Sequence, residues 1–151
     1  MSEEASASGR NSRVRLLLVE PNRELCEALV AWLRSRGFEV LRATSAKEAR
    51  AALRDARLNG THYDGLLIDS SVLGFAAYCV MSAFQDQFPG RPVAAMAGSG
   101  DTLIDLWARV QSVHVLRKPF SMPMLAWWCD RAWNASPTSV AARTPAVHTA
   151  C

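Results

Sequence analysis

Gly65-Leu66-Leu67-Ile68-Asp69 is an apolar run of strand length that stops at a carboxylate. It shows no polar alternation, which is the pattern of a strand buried on both faces in a parallel sheet covered by helices. Asp69 is thereby placed at the C-terminal end of a central strand. Open α/β sheets bind their ligands beyond those ends, at the point where strand order reverses.

Upstream, Val14 to Val19 has the same character and is read as the first strand. Leu25, Ala28, Leu29, Trp32 and Leu33 then recur at helical spacing from Arg23 to Arg36, with Gly37 where a left-handed cap belongs. Phe38 to Leu41 gives a second strand. Ser45 with Glu48 forms a capping box that opens a helix whose inner face is Ala49, Ala52, Leu53 and Ala56. Downstream of Asp69 come a loop with Gly74, a helix bearing Tyr78, Met81, Phe84 and Phe88, the Pro89-Gly90 turn and a strand at Val93 to Met96. The loop Gly98-Ser99-Gly100, a helix from about Thr102 to Gln111, a strand at Val113 to Leu116 and a helix from about Met122 to Trp133 complete the pattern. Five strand–helix pairs in succession predict an α/β fold: a five-stranded parallel sheet with helices on both faces, doubly wound and flavodoxin-like. The domain spans residues 14–133, with tails at 1–13 and 134–151 rich in Ser, Ala, Pro and Thr and read as flexible.

The 151 residues suffice for one domain, and half are hydrophobic against 21% charged, as in a globular chain. The net charge of +3 comes from arginines scattered along the sequence, without the clustered Lys/Arg face that nucleic-acid binders carry, so no nucleic-acid partner is expected. Cys26, Cys79, Cys129 and Cys151 form no CxxC pair, and His62, His114 and His148 are isolated, so neither a zinc site nor a redox motif is written here. A reduced, cytoplasmic protein fits. No apolar run approaches membrane-spanning length, and Met1 to Arg13 lacks a signal-peptide core.

The sheet pattern puts Glu20, Asp69, Ala97 and Lys118 at or just beyond strand ends. A carboxylate can accept a phosphoryl group as an acyl phosphate, provided the repulsion with the phosphate charge is cancelled. A lysine and a magnesium ion, which takes one or two carboxylates and fills its shell with water and phosphate oxygens, can do so. Taken singly, Asp69 would be an ordinary turn cap, Lys118 a solvated cation, and Glu20 a charge favouring the N-terminus of the first helix.

From Val14 to about Trp133 the chain resembles the receiver domain of two-component response regulators. The resemblance rests on Leu16-Leu17-Leu18-Val19-Glu20, Leu66-Leu67-Ile68-Asp69, Pro92-Val93 before a small-residue loop, and above all Lys118-Pro119-Phe120. It implies strand order 2-1-3-4-5, Asp69 as phosphoacceptor and Lys118 as the carboxylate and phosphate contact, with a cis bond before Pro119. It also implies a magnesium site at Glu20, Asp69 and the Ser71 backbone carbonyl. Three departures mark the site as degenerate. Pro21 replaces the second acid, Ala97 replaces the Ser or Thr that bonds the phosphoryl group, and Val115 stands where an aromatic switch residue is usual. Leu73 also stands four residues after Asp69, where the family commonly has proline.

Trp127 and Trp128 point about 100° apart on a helix. Leu125, Trp128, Cys129 and Ala132 make the better inner stripe, which turns Met124 and Trp127 outward. With Val115 they are read as a partner surface, on the face where receivers make dimer or output contacts. Two functions stay open. One is a stand-alone receiver, not an enzyme, taking a phosphoryl group on Asp69 from a histidine kinase or phosphotransfer protein and signalling to a downstream protein or as a homodimer. The other is a pseudo-receiver acting as a phosphorylation-independent interaction module. Two other uses of such a fold are disfavoured: a dehalogenase-like phosphatase needs a second aspartate where Ser71 stands, and a flavodoxin-type cofactor site would not place Glu20-Pro21 in its phosphate loop.

Overall fold

A computed structural model describes residues 13–134, with the side chains of Val72 and Asn134 left out. The tails at 1–12 and 135–151, with His148 and Cys151, lie outside the described residues. Strands β1 (Arg15–Val19), β2 (Glu39–Ala43), β3 (Gly65–Asp69), β4 (Val93–Ala97) and β5 (His114–Arg117) alternate with helices α1 (Arg23–Ser35), α2 (Ala46–Asn59), α3 (Phe75–Gln87), α4 (Leu103–Gln111) and α5 (Met122–Asn134). All pairings are parallel and the order is β2-β1-β3-β4-β5, as expected.

The sheet separates two hydrophobic clusters because successive side chains of a strand point to opposite faces. Leu17, Val19, Leu66, Ile68, Val93 and Ala95 pack on one side with Leu53 of α2 and Met81 and Phe84 of α3. On the other side Leu16, Leu18, Leu67 and Met96 meet Leu29 and Leu33 of α1 and Leu125 and Trp128 of α5. All five residues of β3 are buried, which accounts for its unbroken apolar run.

The helix ends obey local chemistry. Asn22 caps α1 by accepting the Leu25 N–H at 3.0 Å. Ser45 caps α2 by accepting the Glu48 N–H at 3.1 Å. The return half of the expected box is displaced by one residue, since Glu48 accepts from the N–H and hydroxyl of Thr44. A second difference lies just after Asp69: a single helical turn, Ser70–Leu73, replaces the expected loop and leads through Gly74 (φ 59°) into α3. The remaining boundaries shift by one or two residues, as strand and helix ends do.

Candidate functional site

Strand register sets the positions of the site residues. Val19 of β1 is level with Ile68 of β3, so Glu20 comes level with Asp69 on the neighbouring strand. Asp69 is level with Met96 of β4, and Ala97 is level with Arg117 of β5. Lys118 therefore stands beyond Asp69 along the strands and two strands away, about 10 Å to the side. Only a long side chain crosses that gap. The lysine Nζ lies 3.0 Å from Asp69 Oδ2 and 3.1 Å from Glu20 Oε1. Its backbone N–H donates to the Ala97 carbonyl at 2.8 Å, and the Lys118–Pro119 bond is cis.

Both carboxylates are fully buried, whereas the lysine side chain keeps 24% of its surface. Glu20 Oε2 accepts the Asn22 N–H at 3.0 Å, so Glu20 serves both the start of α1 and the lysine. Asp69 Oδ1 accepts the N–H and the hydroxyl of Ser71, each at 2.9 Å. Burial raises the pKa of Glu20 and the nearby Asp69 charge adds to this, against the lowering by the Asn22 N–H and Lys118. Burial alone would lower Lys118, but its hydrogen bonds and charge pairs with Asp69 and Glu20 outweigh that and hold the ammonium above its usual value. The cluster carries formally one net negative charge.

That donor set bears on a metal. Two carboxylates suit a hard cation that takes its other ligands from water and phosphate, the usual habit of magnesium. Pro21 adds no third acid, and among the described residues no group of three or more His, Cys, Asp or Glu could hold a metal. The residues thus fit a magnesium ion shared with a phosphoryl group and not one caged by the protein. In this structure Ser71 contributes its N–H and hydroxyl to Asp69.

Ala97 is completely buried at the end of β4 and presents only a methyl group. The loop it leads into is held by two contacts that sequence reasoning did not single out. Ser70 Oγ lies 3.2 Å from Asp101 Oδ2. Arg117 Nη1 donates to the carbonyls of Gly98 at 2.9 Å and Asp101 at 2.7 Å, while Nη2 pairs with the Asp105 carboxylate. Nothing in the spacing of Arg117 signals this, since it would pass for another surface arginine. An open cleft of about 460 Å³ lies beside the acidic cluster, lined in part by Ser70, Ser71, Tyr78, Gly98 and Asp101, and Asp69 itself is not in its wall.

On α5, Leu125, Trp128 and Cys129 are buried, and Met124 and Trp127 are about half exposed, in agreement with the two stripes expected of this helix. The His114 ring centroid is 5.6 Å from that of Trp127, and Arg131 lies over the same indole. Val115 does not join them. It is partly buried against the cluster on the opposite side of the sheet, because neighbouring residues of β5 point to opposite faces.

No family model matches the chain, and no curated protein matches its sequence. Solved structures do. A response regulator receiver protein of Sinorhizobium medicae superimposes with a TM-score of 0.70 at 22% identity, over 82% of this chain and 97% of that one. A chemotaxis protein of Vibrio cholerae gives 0.67 at 18% identity, over 80% and 99%. A structure described as an adenylate cyclase from Rhodopirellula baltica gives 0.71 at 21%, over 85% and 93%. The fold is therefore that of response-regulator receiver domains, five parallel strands in the order 2-1-3-4-5. No described helix is long and apolar enough to cross a membrane.

Proposed function

We propose that the chain is a receiver-type signalling module whose Asp69 accepts a phosphoryl group from a histidine kinase or phosphotransfer protein. The observation that carries this reading is the double hydrogen bond of Lys118 to Asp69 and Glu20 at the C-terminal ends of the sheet. The carboxylate is the nucleophile. Lys118 offsets its charge before transfer and pairs with a phosphoryl oxygen afterwards. Glu20 and Asp69 would hold magnesium, which supplies further positive charge at the phosphoryl oxygens. The protein acts as a phosphoacceptor in the cytoplasm and not as an enzyme with its own substrate. Met124 and Trp127 form the surface offered to a downstream protein or to a second copy.

The test is intact-mass spectrometry after incubation with acetyl phosphate and magnesium, beside Asp69→Asn. The expected result is one phosphoryl adduct in the parent and none in the variant.

A specific observation favours a second reading, that of a pseudo-receiver. Ala97 offers no hydroxyl to a phosphoryl group, and the loop after it is already pinned by Arg117. Without differential contacts between two states, phosphorylation shifts nothing. The module would then bind its partner with or without modification. Absence of an adduct, with partner binding retained in Asp69→Asn and lost in Trp127→Ala, decides for this reading.

A further inference from the structure

Helix α2 corrects the expectation that the cations form no clustered face. Lys47, Arg50, Arg54 and Arg57 are interleaved with acids and alanines, yet their spacing of three and four residues puts all four within an arc of about 80°, on a ridge about 15 Å long. All four are exposed. Among the described residues none of them reaches an ion-pair or hydrogen-bond partner, whereas Arg15, Arg91, Arg117 and Lys118 sit on carboxylates and Arg36 and Arg131 lie over indole rings. Four like charges so close on one helix repel one another, by a few tenths of a kcal/mol for each neighbouring pair. Among the described residues nothing compensates for this, so the ridge weakens the isolated helix.

Two further observations define what would relieve the repulsion. Leu58, 74% exposed, continues the ridge about 20° round the helix from Lys47. Leu41, 41% exposed, lies on the edge strand β2 and shares with Ala43 the sheet face that α2 covers. The acids of the helix, Glu48 and Asp55, fall on the other flank, about 80° to 100° from Lys47. The positive strip is therefore narrow and has apolar side chains beside it. A DNA duplex would gain nothing from the leucines, and a duplex or an anionic bilayer spreading over the helix would meet the two acids. A slender acidic segment bearing an apolar residue meets neither objection.

We propose that this ridge is a docking site for an acidic amphipathic segment of a partner protein, paired to Lys47, Arg50, Arg54 and Arg57 and anchored on Leu58. The surface lies on α2, on the opposite side of the sheet from Trp127 on α5, so engaging it does not depend on the reading of Asp69. Complementary charge makes such association fast and salt-dependent.

The test is fluorescence anisotropy of the full chain with a labelled helical peptide carrying glutamates at three- and four-residue spacing and one leucine. A duplex oligonucleotide and phosphatidylserine vesicles serve as competing probes. The expected result is binding of the peptide that weakens as salt rises, drops at least about tenfold in Arg50→Glu/Arg54→Glu, and falls in Leu58→Ser at constant salt. Thermal melts of both variants report whether they are folded, and Arg50→Lys/Arg54→Lys is expected to keep most of the binding. Failure of the parent to bind the peptide, equal binding by the charge-reversed variant, or tighter binding to the duplex or the vesicles overturns the proposal.

Discussion

Glu20 is the residue on which burial and function pull against each other. Its carboxylate is fully buried and its pKa stands above the ordinary value of 4.5, chiefly through burial and then through Asp69, opposed by the Asn22 N–H and Lys118. In the window between that value and its raised folded pKa, the folded chain holds a proton that the unfolded chain has lost. Stability contributed by this group therefore falls as pH rises through the window. Glu20→Gln removes the titration, so its melting temperature is expected to exceed that of the parent at neutral pH, with the gap closing as pH is lowered. A gap that stays constant with pH would show that Glu20 is not the group responsible. Substitution of Lys118 acts the other way: Lys118→Met leaves two buried carboxylates without their cation and is expected to cost about 3 kcal/mol in urea unfolding. Asp69→Asn in that background should recover part of the loss.

Within single elements the chemistry is mostly local, which is why much of it is legible in the sequence. Ser45 and Glu48 announce the start of α2, and Ser45→Ala should lower stability by about 1 kcal/mol, read from the denaturation midpoint. The unbroken apolar run of β3 reveals its bounds because burial on both faces forbids polar alternation. The helical turn after Asp69 is hidden because Ser70 and Ser71 favour turns when read locally: Asp69 accepts from Ser71 two residues on, and the contact that ties the turn to the rest of the fold is the long-range one of Ser70 with Asp101. Gly65 shows the same limit. A Cβ there would run into the Trp133 ring of α5. Gly65→Ala is thus expected to destabilise by about 1–3 kcal/mol, although the sequence marks the residue only as the first of a strand. The cations of α2 escape a linear reading for a related reason: they are scattered along the chain and gathered only by the 3.6-residue turn.

Across the whole molecule, the convergence of Glu20, Asp69 and Lys118 is legible because a parallel sheet brings the C-terminal ends of all its strands to one edge. The loop after β4 is not, since no local signal marks Arg117 as the residue that fixes it. That guanidinium bonds Gly98, Asp101 and Asp105, while Ser70 reaches Asp101 from the other side, so the loop is tied to both β3 and β5. A phosphoryl group on Asp69 would have to draw this loop inward to signal through it, yet Ala97 gives it no hydroxyl to pull and Arg117 holds the loop in place. Hydrogen exchange should accordingly show the Asp101 amide, which donates to the Gly98 carbonyl that Arg117 also holds, protected in the parent and unchanged by acetyl phosphate with magnesium, but faster in Arg117→Ala. A loop whose exchange changes on phosphodonor treatment of the parent would mean that Arg117 yields during the reaction, and that the missing hydroxyl is replaced by another contact of the phosphoryl group.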